Sequence, residues 1–203
     1  MNRLTKKLDK LKEQNKKALV AYLVAGDPDL DSTLKIMHMF VKSGVDIIEV
    51  GVPFTDPIAE GPIIQRAHDR AITKKISLED IFQLISNFRL KDNKTPIVLM
   101  GYLNSFIFFR ELIKKNENDN VDSILCVDIP GELMLEDYGI QSKNINTISL
   151  ISPTTKEDRI KSIANNSSGF IYYVTLRGVT GSSNLNVEEI SKNIKAVSYT
   201  HLR

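Results

Sequence analysis

The chain has 203 residues, of which 42% are apolar and 26% charged, values ordinary for one globular domain with a sizeable core. Its 27 basic and 25 acidic residues nearly balance, which gives no electrostatic indication of binding to nucleic acid or to an anionic membrane. A single cysteine, Cys126, excludes an intrachain disulfide, and no apolar run is long enough to cross a bilayer, so we expect a cytoplasmic protein.

Short apolar runs alternate with amphipathic stretches along the chain. The apolar runs predict strands at 18–24, 45–50, 96–100, 122–127, 145–151 and 170–175. Apolar residues at helical spacing predict helices at 4–11, 30–42, 62–74, 78–90, 105–115, 132–141, 156–165 and 187–195. Ser77 and Asp80 form a capping-box pattern that marks the start of the helix at 78–90.

Strands that are apolar on both faces and alternate with helices predict a parallel sheet covered by helices. Two architectures fit this pattern, a doubly wound open sheet and a (β/α)8 barrel. No strand is followed by a Gly-x-Gly-x-x-Gly phosphate loop, which weighs against the open sheet. A barrel needs eight strands and typically about 250 residues, which weighs against the barrel. The pattern alone leaves the choice open.

Three acidic residues follow the second predicted strand. Glu49 lies near the end of that strand, on a face that carries apolar side chains, and Asp56 and Glu60 lie in a loop stiffened by two prolines. Apolar surroundings raise the pKa of a carboxyl group toward the range that general acid–base catalysis requires. Each acid alone could be an ordinary paired or solvated charge, but the combination indicates a catalytic site.

The segment 177–183 is a second candidate. Gly178 and Gly181 flank Thr180 there, and glycines can act as the hinges of a lid over an active site. An ordinary long loop is the alternative interpretation. The three histidines do not have the spacing of metal ligands, so we predict no metal site.

The segment Glu49–Pro57, followed by Gly61, Pro62 and Gln65, is the most distinctive motif of the chain. It closely resembles the signature of the tryptophan synthase alpha chain family. Matches continue in consistent order from 22–28 through 96–100 and 128–130 to 178–181, so the resemblance covers roughly residues 4–195. The family fold is a (β/α)8 TIM barrel with an extra N-terminal helix, and the resemblance therefore favours the barrel over the open sheet.

The resemblance also implies that the barrel is truncated after about six strands in this chain. Members of the family continue through two further strands, whose glycine-rich loops hold the substrate phosphate. We therefore expect residues 1–196 to form a single, incomplete TIM-barrel domain. Residues 197–203 do not resemble the seventh strand of the family, and we expect them to be a non-native tail.

For function, the resemblance implies a lyase of L-tryptophan biosynthesis. The family carries out the retro-aldol cleavage of indole-3-glycerol phosphate to indole and glyceraldehyde 3-phosphate, with no metal and no organic cofactor in this subunit. The implied partner is the tryptophan synthase beta chain, which carries pyridoxal phosphate and consumes the indole within an alpha2beta2 tetramer.

The resemblance assigns catalytic roles to two of the three acids. Glu49 matches the acid–base residue that handles the glycerol hydroxyl proton and the proton at indole C3. Glu60 matches the carboxylate that stabilises the indole N–H as charge develops, although many members carry Asp at this position.

Further positions match the substrate pocket and the partner surface. The residues that match the indole pocket are Tyr22, Met100 and Tyr172. The residues that match the mobile lid are Thr180 and Gly181. The residues that match the side facing the beta chain are Asp56, Tyr102 and Asn104.

Two other functions compete with the lyase. A truncated, non-catalytic subunit that binds or modulates a beta chain would need the intact segment 49–62 but not the phosphate-binding strands. Another barrel enzyme that acts on a phosphosugar, such as an isomerase, is disfavoured because the Pro-x-x-Asp-Pro loop is not the pattern of those enzymes.

Overall fold

A parallel sheet forms the centre of the structure, a computed structural model that describes residues 2–115, 120–140 and 144–174. Within those residues, the sheet has six strands whose order in space is their order in the chain. The strands are β1 (Val20–Val24), β2 (Ile47–Gly51), β3 (Ile97–Gly101), β4 (Ser123–Cys126), β5 (Asn146–Ile151) and β6 (Ile171–Tyr173). Each of the six apolar runs in the sequence contains all or most of one strand.

The strand order decides between the two architectures that the sequence pattern leaves open. A doubly wound sheet reverses its strand order at a switch point, whereas each strand pair described here is consecutive and parallel. Consecutive parallel pairing is the order of a (β/α)8 barrel. The barrel expected from the resemblance is therefore confirmed for the described strands.

Helices follow most of the strands at the predicted places. The helices are α1 (Arg3–Glu13), α2 (Leu30–Lys42), α3 (Pro62–Thr73), α4 (Leu78–Arg89), α5 (Leu103–Phe108), α6 (Arg110–Lys115) and α7 (Glu157–Asn166). The predicted capping box starts α4, because the N–H of Asp80 donates to Oγ of Ser77 at 3.2 Å and the N–H of Ser77 donates to Oδ2 of Asp80 at 2.9 Å.

Two stretches that were each predicted to form a single α-helix do not do so. The stretch 105–115 is split into α5 and α6, since Phe109 has φ −103° and ψ 19° and leaves the helical conformation. The stretch 132–141 contains, within its described residues, only the 3₁₀ turn Leu135–Tyr138. Gly139 ends this turn with φ +75°, a left-handed conformation that glycine adopts without steric cost.

The curvature of the sheet encloses an apolar interior. Side chains of β2, β3, β4 and β5 meet there with Leu4 of α1, and β6 reaches the same cluster through Tyr172. The fully buried members are Leu4, Ile47, Val98, Leu125 and Ile148. The extra N-terminal helix therefore closes the interior near the amino ends of the strands, which leaves the carboxyl ends for a site.

Helices cover the outer face of the same sheet. Ile48 and Val50 of β2 point outward and share a buried cluster with Phe82 and Ile85 of α4. Helix α3 does not join this cluster, because its Ala67 and Ala71 pack with Val24 and Tyr22, which share the other face of β1. This placement holds α3 next to the carboxyl end of β2, from which its preceding loop comes.

Asp122, just before β4, joins four elements near the amino ends of the strands. Its side chain is 1% exposed and pairs with Nη1 of Arg3 at 3.3 Å and with Nη2 of Arg89 at 3.0 Å. The backbone N–H of Ile97 also donates to Oδ2 of Asp122 at 2.9 Å. The buried charge is thereby compensated by two cations and a backbone donor.

Several predictions concern residues that the structure does not describe. Thr180 and Gly181, the helix at 187–195 and the tail at 197–203 lie outside the described residues, and the division at residue 196 stays a prediction. Among the helices that are described, none combines the length and the apolar character needed to cross a membrane.

We expect Asp122→Asn to lower the free energy of unfolding by about 3 kcal/mol, because the Arg89 side chain, only 8% exposed, loses its counter-charge. Urea unfolding at neutral pH measures this change. The control is Glu157→Gln, which removes an exposed pair with Lys161 and should change the free energy by less than about 1 kcal/mol. Equal changes in the two variants would contradict the structural role of Asp122.

Candidate active site

Three neighbouring strands bring Tyr22, Glu49 and Val98 side by side. Glu49 is the register partner of Tyr22 in β1 and of Val98 in β3. Because alternate residues of a strand share a face, Glu49 points to the interior together with Ile47. Glu49 is 5% exposed, and its Oε1 atom has no hydrogen-bond partner among the described residues. The sheet thus holds a carboxyl group in a largely apolar space.

This environment changes the acidity of Glu49. Burial raises the pKa of its carboxyl group from 4.5 to about 7, and the negative charge of Glu60 adds to the increase. Both the protonated and the ionised form are therefore populated at neutral pH. A carboxyl group with this pKa can act both as a general acid and as a general base.

The loop between β2 and α3 carries the second carboxylate, Glu60. Gly61 and Pro62 start α3 immediately after it, with Pro62 at the first helical position, where no backbone N–H is needed. The N–H of Glu60 donates to the carbonyl of Pro57 at 3.0 Å, and its own carbonyl accepts Nε2 of Gln65 at 2.9 Å. These bonds fix the backbone of Glu60, and the residue is 5% exposed.

Tyr102 holds the same loop from the neighbouring strand. Its ring stacks on Phe54 with centroids 4.6 Å apart, and its hydroxyl oxygen accepts the N–H of Ala59 at 3.0 Å. Tyr102 is 3% exposed, so its side chain lies inside this chain and presents almost no surface to a partner. The side chain positions the loop, and the expected location of Tyr102 on the side facing the beta chain stays a prediction.

His68 makes contacts that the sequence patterns do not predict. It lies on α3, is 2% exposed, and its Nδ1 accepts the N–H of Phe54 at 3.1 Å. Its Nε2 lies 3.3 Å from the hydroxyl oxygen of Tyr22. No spacing in the sequence points to this role, because the contact joins a helix to the first strand.

The residues expected in the substrate pocket lie on the interior face. Met100 and Tyr172 are half-buried and pack against the interior cluster above Val98. Burial raises the pKa of the Tyr172 hydroxyl, and the charges of Glu49 and then Glu60 raise it further. The pKa of the Tyr22 hydroxyl is raised in the same way, by burial first and then by the charges of Glu60 and Glu49. Tyr22 and Tyr172 therefore lie within range of both carboxylate charges, and Met100 lies on the same interior cluster as Tyr172.

Other residues after β2 and β3 face solvent. Asp56 and Asn104 are exposed, as the assignment to a partner surface requires. Two large apolar side chains in the same two connections are also exposed, Ile58 at 75% and Phe108 at 81%. Thr180 and Gly181 cannot be placed because they lie outside the described residues. The described residues contain no group of three or more side chains that could hold a metal ion.

Comparison with known proteins identifies the family. Residues 8–202 match the sequence profile of the family described as tryptophan synthase alpha chain. The tryptophan synthase alpha chain of Neisseria meningitidis serogroup B is 47% identical over 182 residues, which are 88% of this chain and 70% of that relative. The alpha chain of Nitrosomonas europaea is 41% identical over 206 residues, covering 100% of this chain and 75% of that relative.

Solved structures agree with these matches. Tryptophan synthase subunit alpha from Legionella pneumophila superposes with a TM-score of 0.87 at 37% identity, covering 100% of this chain and 76% of that chain. A chain of the tryptophan synthase a2b2 complex from Pyrococcus furiosus superposes with a TM-score of 0.79 at 33% identity, covering 90% and 74%. With the barrel strand order and the paired buried carboxylates, these matches place the chain in the tryptophan synthase alpha chain family.

Proposed function

We propose that Glu49 and Glu60 carry out the reaction of this family, the cleavage of indole-3-glycerol phosphate to indole and glyceraldehyde 3-phosphate. The observation that carries the proposal is Glu49 itself, a buried carboxyl group with a pKa raised to about 7 beside a second buried carboxylate. No feature of the described residues favours a non-catalytic subunit, since the carboxylate pair of a lyase is present.

In the proposed cycle, protonated Glu49 donates its proton to indole C3. The ring then carries a positive charge that is shared with the indole nitrogen, and the Glu60 carboxylate stabilises it by accepting the N–H. Ionised Glu49 next removes the proton of the glycerol hydroxyl. The C–C bond to C3 breaks, its electrons return to the ring, and Glu49 is again protonated, so the step balances without an external acid.

Tyr22, Met100 and Tyr172 would bind the indole ring, and Thr180 and Gly181 would form the lid that closes over it. We also propose that this subunit needs no organic cofactor or metal ion for the cleavage and that pyridoxal phosphate belongs to the beta partner. The single cysteine and the balanced charge support a cytoplasmic location.

The partner is a tryptophan synthase beta chain, as in the a2b2 complex from Pyrococcus furiosus. We propose that it binds the surface formed by Asp56, Ile58, Asn104 and Phe108. These residues follow β2 and β3 at the edge where the active site opens. Exposed apolar side chains next to polar ones are typical of such interfaces, and this location would let the indole pass directly to the partner.

We expect Glu49→Gln to lower kcat for indole release at least 100-fold, because the amide can neither donate the C3 proton nor accept the hydroxyl proton. The assay follows indole formation from indole-3-glycerol phosphate in the presence of a beta chain. Glu157→Gln, an exposed change on α7, is the matched control and should leave kcat unchanged. A Glu49→Gln chain with more than a tenth of the normal kcat, or an unsubstituted chain that releases no indole, would contradict the proposal.

The raised pKa of Glu49 also makes stability depend on pH. Between pH 4.5 and about 7 the folded chain keeps a proton that the unfolded chain has released, so stability falls as pH rises through this window. Glu49→Gln removes this dependence. The unfolding free energy of Glu49→Gln minus that of the unsubstituted chain is therefore expected to increase by up to about 3 kcal/mol from acidic to mildly alkaline pH.

Urea unfolding of both chains at several pH values measures this difference, in which the titration of groups that are not coupled to Glu49 cancels. A difference that stays constant across the window would show that Glu49 has an ordinary pKa in the folded chain.

We expect Ile58→Asp to weaken binding of a beta chain at least tenfold, because the new charge would lose its hydration in an apolar contact. Isothermal titration calorimetry measures the change. Leu90→Asp is the control, since Leu90 is also highly exposed, at 84% against 75% for Ile58, but precedes β3 at the opposite end of the sheet. Equal effects of the two substitutions would contradict the proposed surface.

A further inference from the structure

His68 of α3 forms hydrogen bonds to Phe54 and to Tyr22 of β1, and the donor and the acceptor of each bond can be assigned. The N–H of Phe54 can only donate, so Nδ1 of His68 is the acceptor in their 3.1 Å bond and carries no proton. The neutral imidazole ring therefore has its proton on Nε2. That proton is donated to the hydroxyl oxygen of Tyr22, 3.3 Å away.

The ring stays neutral because of its surroundings. Burial lowers the pKa of His68, and the charge of Asp69 opposes this only partly. Protonation of Nδ1 would also replace the acceptor of the Phe54 N–H by a second donor. The hydrogen-bond direction from Phe54 through His68 to Tyr22 is thus maintained at neutral pH.

The hydroxyl proton of Tyr22 must then point away from His68. The hydroxyl itself occupies space that exists because Gly51 has no side chain, since a Cβ at this position would overlap the Tyr22 hydroxyl. Gly51 lies two residues after Glu49 in β2 and so on the same interior face. The hydroxyl therefore lies in the interior just beyond the Glu49 position, within range of both carboxylate charges.

We propose that His68 is a positioning residue that orients the Tyr22 hydroxyl as a hydrogen-bond donor toward the carboxylate pair. The inference rests on the proposed catalytic roles of Glu49 and Glu60. A donor fixed in this way stabilises the ionised form of Glu60, which the reaction needs when the indole ring becomes positive. An unoriented hydroxyl could instead donate back to an imidazole nitrogen and leave the carboxylate without its donor.

Two substitutions of His68 separate this role from simple support of the loop. Gln places an amide N–H near the position of Nε2, so His68→Gln keeps the donor to Tyr22 but loses the acceptor for the Phe54 N–H. Asn places its oxygen near the position of Nδ1, so His68→Asn keeps the acceptor but loses the donor. Tyr22→Phe removes the hydroxyl and keeps the ring.

We expect kcat for indole release to fall about tenfold in Tyr22→Phe and in His68→Asn, with KM changed less than twofold, because the bond acts on the charged state. His68→Gln should keep most of the activity. The double variant His68→Asn with Tyr22→Phe should be no slower than Tyr22→Phe alone, as expected for two residues that act as one unit. Thermal unfolding of each variant separates a loss of folding from a loss of orientation.

The opposite pattern, with His68→Asn active and His68→Gln impaired, would overturn the inference and reduce His68 to an anchor of the loop. Additive losses in the double variant would do the same. Glu49→Gln is assayed alongside: if it stays active, the proposed catalytic roles fail, whereas an inactive Glu49→Gln with active His68→Asn and Tyr22→Phe removes only this inference. Nitrogen-15 NMR of labelled histidine tests the tautomer without any turnover, and a proton on Nδ1 of His68 would contradict the inference.

Discussion

The parallel register of β1, β2 and β3 is the constraint on which the active site depends. It places Glu49 between Tyr22 and Val98 on the interior face of a curved sheet, where water has little access. Because alternate residues of a strand share one face, the register that buries Ile47 also buries Glu49. The apolar packing that stabilises the sheet is therefore also what raises the pKa of the Glu49 carboxyl group.

Two buried acids show how differently the two ends of the sheet are built. Asp122, near the amino ends, is 1% exposed and pairs with Arg3 and Arg89. Glu49, toward the carboxyl ends, is 5% exposed, has an oxygen without a described partner, and faces the like charge of Glu60. The first arrangement places two cations against a carboxylate, whereas the second disfavours the ionised form and raises the pKa of Glu49. This contrast distinguishes a structural carboxylate from the one that we propose to be catalytic, although both are buried to a similar extent.

The rigidity of the loop after β2 comes from residues outside it. Tyr102, directly after β3, supports it by stacking and by accepting the Ala59 N–H, and His68 supports it from α3 by accepting the Phe54 N–H. Two prolines limit its backbone further. The Glu60 carboxylate is thus carried on a loop that is already ordered, which reduces the reorganisation needed when charge develops on a substrate.

Local patterns in the sequence predicted the structural features that depend only on residues close together in the chain. The bounds of α2, the capping box of α4 and the burial of Glu49 follow from helical spacing, from a Ser–Asp pair and from strand alternation. Contacts between distant segments were beyond such patterns. Which elements pack together decides the strand order, the buried state of Tyr102 and the role of His68. The helix predicted at 132–141 does not form in full because Gly139 adopts a left-handed conformation that ends the turn.

The central claim is that a desolvated Glu49, coupled to Glu60, is the group that exchanges protons at neutral pH. A carbon-13 NMR titration of the chain labelled at the glutamate carboxyl carbons tests it most directly, with Glu49→Gln to assign the signal. We expect Glu49 to titrate with a pKa of about 7 and its pKa to fall when Glu60→Gln removes the neighbouring charge. A pKa near the ordinary 4.5, or one that does not respond to Glu60→Gln, would contradict this account of the site.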